Sequence, residues 1–235
     1  MNARKVALIT GGSQGIGAGL VDGYRRLGFA VVANSRTIAP AGDHDLVTVA
    51  GDISDPEVAD AVVAAALNSF GRVDTLVNNA GIFIAKPFLD YTIEDFNAAL
   101  SVNLGGFFHI TQKAVAQMSA QGSGHVVNIT TTLVEHALQN VPSALASLTK
   151  GGTAAVTKSL AIEYAARGVR FNAVSPGIIE TPLHAEETHA TYAALHPVGR
   201  MGTIDDVVRG VLYLEDAPFV TGEFLHVDGG QSAGN

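Results

Sequence analysis

The stretch Thr10-Gly11-Gly12-Ser13-Gln14-Gly15-Ile16-Gly17 constrains this chain more than any other. An apolar run, Lys5 to Ile9, precedes it, and an amphipathic segment, Ala18 to Leu27, comes after it. Strand, glycine turn and helix in that order aim free backbone N–H groups and the positive end of a helix at one point. That arrangement holds a phosphate. A tight turn without a ligand would show the same glycines, so a second strand end beside the turn is the stronger sign. Asn78-Asn79-Ala80-Gly81 comes after a later apolar run, where another strand end would face the same crevice.

Short apolar runs alternate with longer helical patterns along the chain. Val6–Ile9, Ala30–Asn34, Leu46–Ala50, Asp74–Asn78, Val126–Ile129, Arg170–Val174 and Gly222–Val227 read as strands. Strands that are nearly all apolar are buried on both faces, which calls for a parallel sheet covered by helices on both sides. The predicted fold is α/β, a doubly wound parallel sheet of about seven strands. Phe107, Ile110, Ala114 and Met118 give an apolar stripe to a helix over Gly106 to Gln121, and Ala154, Thr157, Ala161 and Tyr164 do so over Thr149 to Ala166. Between Arg36 and Leu46 only nine residues intervene, and they include Pro40 and Gly42. A parallel crossover usually takes a dozen or more residues with a helix, so this connection is predicted to lack its helix and to leave that face open.

With 235 residues, 47% hydrophobic and 15% charged, the chain suits one domain, 1–235, with a sizeable core. A net charge of −8 without a basic cluster argues against nucleic acid or an anionic membrane as partner. The absence of cysteine excludes disulfides and thiolate chemistry. Met1 to Lys5 lead directly into the first strand, which leaves no room for a signal peptide, and no apolar run reaches the length of a membrane span. A cytoplasmic protein is expected.

The spacing Gly11, Gly15, Gly17, with Asp52, Asn78-Asn79-Ala80-Gly81, Asn103, Lys150, Pro176-Gly177, Thr181 and Val227-Asp228-Gly229-Gly230, resembles the short-chain dehydrogenase/reductase family over nearly the whole chain. The resemblance implies a Rossmann-type sheet, NAD or NADP as cofactor, hydride transfer between the nicotinamide and a small carbonyl or alcohol, and a homodimer or homotetramer. It also implies contacts to the cofactor from Gly11, Ser13, Gln14, Gly15, Ile16, Gly17, Asp52, Ile53, Asn79, Ala80, Gly81, Lys150, Ile179 and Thr181. After the second strand comes Asn34-Ser35-Arg36. A carboxylate at position 35 would bind the ribose hydroxyls and repel a 2′-phosphate. Ser35 has none, and Arg36 offers a guanidinium fork to that phosphate. NADP is the expected cofactor, ahead of NAD.

Members of the family carry Tyr-x-x-x-Lys, which places both side chains on one helix face. Lys150 is present here, but Ala146 stands where the tyrosine would be. Thr131 occupies the position of the family's serine, and Asn103 that of its supporting asparagine. Three readings remain open. The tyrosine was removed by substitution; another group, with His136 the best candidate because an imidazole can both give and take a proton, exchanges the proton; or the protein binds NADP without turnover, as a sensor or inactive partner. Loss of a general acid costs about 10²–10⁴-fold, so an imine or enone could still be reduced. The leading reading is an NADP-dependent oxidoreductase acting on a small carbonyl, imine or enone, or the corresponding alcohol. Its catalytic residues are then Asn103, Thr131, Lys150 and His136. Residues 183–196 are expected to form the substrate lid, with Tyr192, Ile82, Phe83, Leu133 and Ile178 on the pocket wall. His184 and His189, about 500° apart on a helix, are poorly placed to share a metal, and no metal site is expected.

Overall fold

The computed structural model describes residues 4–182 and 184–234. Seven parallel strands form one sheet: β1 (Val6–Thr10), β2 (Ala30–Ser35), β3 (Leu46–Ala50), β4 (Thr75–Asn78), β5 (Gly124–Ile129), β6 (Val169–Pro176) and β7 (Phe224–Val227). Their order is β3-β2-β1-β4-β5-β6-β7. The chain winds outward from β1 in one direction and from β4 in the other. A crevice therefore opens between the C-terminal ends of β1 and β4.

The apolar strands have the two-sided burial their composition predicts. Val6 and Leu8 of β1 face one core, together with Leu76, Val126 and Phe171. Ala7 and Ile9 face the other, together with Val77, Val127 and Val174. The first core is covered by α2 (Pro56–Phe70), α4 (Phe107–Gln121) and α5 (Ala144–Tyr164), the second by α1 (Gly15–Arg26) and α7 (Ile204–Asp216). Helices α1 and α7 approach closely because α1 presents glycine at the contact. A Cβ on Gly19 would lie 2.3 Å from Ile204 Cγ2, and one on Gly23 would lie 2.7 Å from Val208 Cγ1.

The connection from β2 to β3 has no helix, as the nine-residue spacing predicts. Ala41 N–H donates to Thr48 Oγ1, Arg25 pairs with Asp43, and β3 is only partly buried. Two helices differ from the sequence pattern. The helix predicted from Gly106 continues a longer one that starts with α3 (Ile93–Ala99) and passes through a π-helical stretch, Leu100–Gly106. The helix predicted from Thr149 begins at Ala144, just after Pro142, so Ala146 and Lys150 both lie in its first turns. The short α6 (His189–Ala193) belongs to the segment between β6 and α7.

Candidate active site

Thr10 closes β1 and ties it to the end of β4. Its Oγ1 accepts from Asn79 N–H at 3.1 Å and Ala80 N–H at 3.0 Å, while Asn79 Nδ2 donates to Thr10 O at 2.9 Å. The turn beyond is possible only for glycine. Gly11 and Gly15 have φ of 67° and 55°, and a Cβ on Gly17 would lie 2.0 Å from Gly11 O. Gln14, the residue before α1, makes no side-chain bond to the first-turn N–H groups. Those donors and the helix dipole are thereby left to an anion.

A cleft of about 300 Å³ runs from this turn along the strand ends. Gly11, Ser13, Gln14, Gly15, Ile16 and Gly17 form one wall; Ser35, Arg36, Asp52 and Ile53 lie at one end, and Asn79, Ala80, Gly81 and Thr181 line the rest. Ser35 Oγ lies 2.9 Å from Ser13 Oγ, and Arg36 is exposed. Asp52 accepts from Ser54 N–H and Ser54 Oγ–H, and these bonds with the Arg36 charge hold its carboxyl below the usual range.

An adjoining pocket of about 270 Å³ is lined by Thr131, Ala146, Lys150 and Ile179, with Ile82, Phe83, Leu133, Val141 and Ile178 as apolar walls. Ala146 stands one helical turn before Lys150 and is 4% exposed. Lys150 Nζ donates to Ile129 O at 2.7 Å, and burial lowers its ammonium to about 8. Asn103 sits in the π-helical stretch, a geometry that often marks functional positions. It binds the loop after Gly81 from both sides: Ile82 N–H donates to Oδ1 at 2.8 Å and Nδ2 donates to Ile82 O at 3.0 Å. Its Nδ2 also donates to Thr149 Oγ1 at 3.0 Å, beside Lys150 on α5. Thr131 Oγ1 accepts from Leu133 N–H, which leaves its hydroxyl hydrogen to point elsewhere.

His136 is not brought to this group. Its N–H donates to Thr132 O, and it lines a separate cleft with Leu138, Ala194, Leu195 and Pro197. The loop after β5 turns back on itself in a 3₁₀ turn, Thr132–Val134, and carries His136 away from Lys150. The pocket instead contains His184 and Tyr192. The sequence places Tyr192 on the wall and His184 within the expected lid, without assigning His184 to the pocket. The available signal was the Thr181-x-x-His184 spacing, since a turn with His184 N–H on Thr181 O brings the ring back toward the cleft. Leu183, the first residue of the expected lid, lies outside the described residues.

Among the described residues, Asp43, His44 and Asp45 are the one group with three metal-ligating atoms in mutual reach, and they lie in the β2–β3 connection, away from the pocket. His184 and His189 point to different partners, Tyr192 and Glu180. No helix among the described residues is long and apolar enough to cross a membrane.

Residues 11–232 match a family model described as Enoyl-(Acyl carrier protein) reductase. The chain is 36% identical to a 3beta-hydroxysteroid dehydrogenase 1 of Eggerthella lenta, over 97% of this chain and 94% of that protein. It superimposes on the structure titled ElxO with NADP bound with a TM-score of 0.91 at 29% identity, covering 98% of this chain and 100% of the other. It also superimposes on a 3-ketoacyl-(acyl-carrier-protein) reductase from Brucella melitensis complexed with NADH, with a TM-score of 0.90 at 35% identity and coverage of 97% and 98%. The sheet, the glycine turn and these likenesses together make the chain a member of the short-chain dehydrogenase/reductase family of oxidoreductases.

Proposed function

We propose that the chain transfers a hydride between NADP(H) and a small carbonyl, imine or enone, or the corresponding alcohol, with a proton relay altered by Ala146. The observation that carries this reading is the pair of adjoining pockets. One ends at Ser35 and Arg36 without a carboxylate at position 35, and the other places Thr131 and Lys150 among apolar walls. The glycine turn fits a pyrophosphate, because its first-turn N–H groups lack side-chain partners and a side chain at Gly17 would collide with the turn. The Arg36 guanidinium and the Ser35 hydroxyl suit a 2′-phosphate. Asp52 and Ile53 would flank the adenine, Asn79 to Gly81 its ribose side, and Ile179 and Thr181 the carboxamide.

The nicotinamide would supply the hydride chemistry in the second pocket. There Lys150 would bind the ribose and set the local field, Asn103 would hold Lys150's helix and the Gly81 loop in register, and Thr131 would donate to the substrate oxygen. Phe108 and Leu148, exposed on α4 and α5, support a homodimer or homotetramer. Titrating NADPH and then screening ketones, imines, enones and alcohols for cofactor turnover tests the proposal. Turnover with at least one class is expected. Tight binding without turnover in any class would instead support a sensor or inactive partner.

A further inference from the structure

We infer that the proton exchanged with the substrate oxygen passes through His184 on the lid rather than through a group on α5. The inference rests on the oxidoreductase reading of the two pockets. On α5, Ala146 has no proton to give, and Lys150 Nζ, with one N–H on Ile129 O, is assigned to the cofactor ribose. Thr131 is a hydroxyl with no titratable neighbour bonded to it in the described structure. The remaining proton-active side chains on the pocket wall are His184 and Tyr192, and both come from the lid.

The lid is built to hold them there. The His184 ring meets Tyr192 edge-on, with centroids 5.3 Å apart at 78°, and its Nδ1 lies 3.5 Å from Thr181 Oγ1 at the cleft edge. Buried His196 anchors the segment behind them. Its Nδ1 lies 2.8 Å from Tyr192 O and its Nε2 accepts from Ile178 N–H at 3.0 Å. The Nε2 acceptor role fixes Nδ1 as the donor to Tyr192 O, so one imidazole ties the lid to the end of β6.

The groups facing His184 are Thr181, Tyr192, the Ile179 backbone, His189 and, in the same pocket, Lys150. His189 in turn lies 4.0 Å from Glu180. Burial and the neighbouring His189 hold the His184 ring below the usual histidine range, against the opposing effect of the Ile179 backbone bond. That direction favours the unprotonated ring. In the oxidation direction the alcohol O–H bond breaks and its proton passes to the unprotonated imidazole nitrogen. The carbinol C–H bond breaks with its electron pair leaving as hydride to the nicotinamide, and the O–H electron pair becomes the second C–O bond. Reduction runs the same step backwards, with the imidazolium giving its proton to the carbonyl oxygen.

The test compares the unaltered protein, His184→Gln, Tyr192→Phe, and His184→Gln combined with Ala146→Tyr. The probe is a panel of primary and secondary alcohols, including cyclohexanol, with NADP⁺. His184→Gln should bind NADPH unchanged by calorimetry yet lose about 10²-fold or more in kcat. The acid limb of kcat/KM should disappear with it, and the Ala146→Tyr combination should regain rate. In the cofactor-free protein the His184 Cε1–H resonance should titrate below about 6.5. Unaltered protein that binds NADPH but oxidises nothing in the panel overturns the functional reading and this inference together. If the unaltered protein turns over, the inference alone falls when His184→Gln keeps its rate and acid limb, when it loses NADPH binding, or when Tyr192→Phe costs more.

Discussion

Ala146 and Gly17 show how much a single position decides. At Gly17 a methyl group would meet Gly11 O at 2.0 Å, so the cofactor turn depends on the absence of a side chain. At Ala146, one helical turn before Lys150, the side chain is a methyl group with no proton to exchange. Ala146→Tyr should place a phenol one turn from the Lys150 ammonium, which would favour its ionised form. Carbonyl reduction should rise by about 10²-fold in steady-state kinetics if the pocket accepts the ring. No gain, with NADPH binding intact, would mean that the pocket walls have been rebuilt around the smaller residue. The glycines, Lys150, Thr131 and Asn103 were legible in the sequence because each sits at a strand end or a fixed helical spacing. His184 was not, because its direction depends on how the lid folds back from Thr181 to the His196 anchor, and no local periodicity encodes that. His136 misled for the same reason: a loop residue near the right strand was carried off by a 3₁₀ turn.

Among the elements, the strands were the easiest to read, since burial on both faces leaves little but apolar residues. The helix starts were harder. Helix α5 begins at Ala144, one residue after Ser143, which makes no side-chain cap bond to mark the start, and the π-helical stretch at Leu100–Gly106 has no sequence signature beyond Asn103 itself. The start of α7 is better marked. Thr203 Oγ1 accepts from Asp206 N–H at 3.2 Å, and Asp206 Oδ2 accepts from Thr203 N–H at 2.8 Å and from Arg200 at 2.7 Å. Those bonds hold the Asp206 carboxyl far below its usual range, the Arg200 bond most strongly. Thr203→Ala should cost about 1 kcal/mol in urea unfolding. It should leave NADPH affinity unchanged, because Thr203 is not among the residues that line the cleft.

At the scale of the whole molecule, the sheet holds a buried polar cluster that the sequence pattern did not announce. Glu215 Oε2 accepts from His125 Nδ1–H at 2.8 Å, Thr75 Oγ1–H at 3.0 Å and Tyr24 O–H at 3.2 Å. Burial alone would raise the carboxyl, but the His125 and Thr75 donors and the Lys5 charge keep it low and ionised. Burial also lowers His125, so it stays neutral and donates. Both groups have depressed values in the folded state, so their contribution is complete above the unfolded histidine value of about 6.5. It is lost as pH falls, first through the histidine range and then through the carboxylate range. Unfolding free energy should therefore be lower at pH 5 than at pH 8. Glu215→Leu, which strands three donors, should cost about 3 kcal/mol at pH 8, and it should steepen the loss between pH 8 and pH 5, because the carboxylate opposes the lowering of His125.

The central claim is that the crevice between β1 and β4 holds NADP(H). Calorimetric titration of the unaltered protein with NADPH and with NADH tests it most directly. Arg36 and Ser35 acting on a 2′-phosphate predict binding of NADPH at least about tenfold tighter than NADH, in line with about 1.4 kcal/mol from one charge-assisted contact. Equal affinities, or tighter binding of NADH, would contradict it.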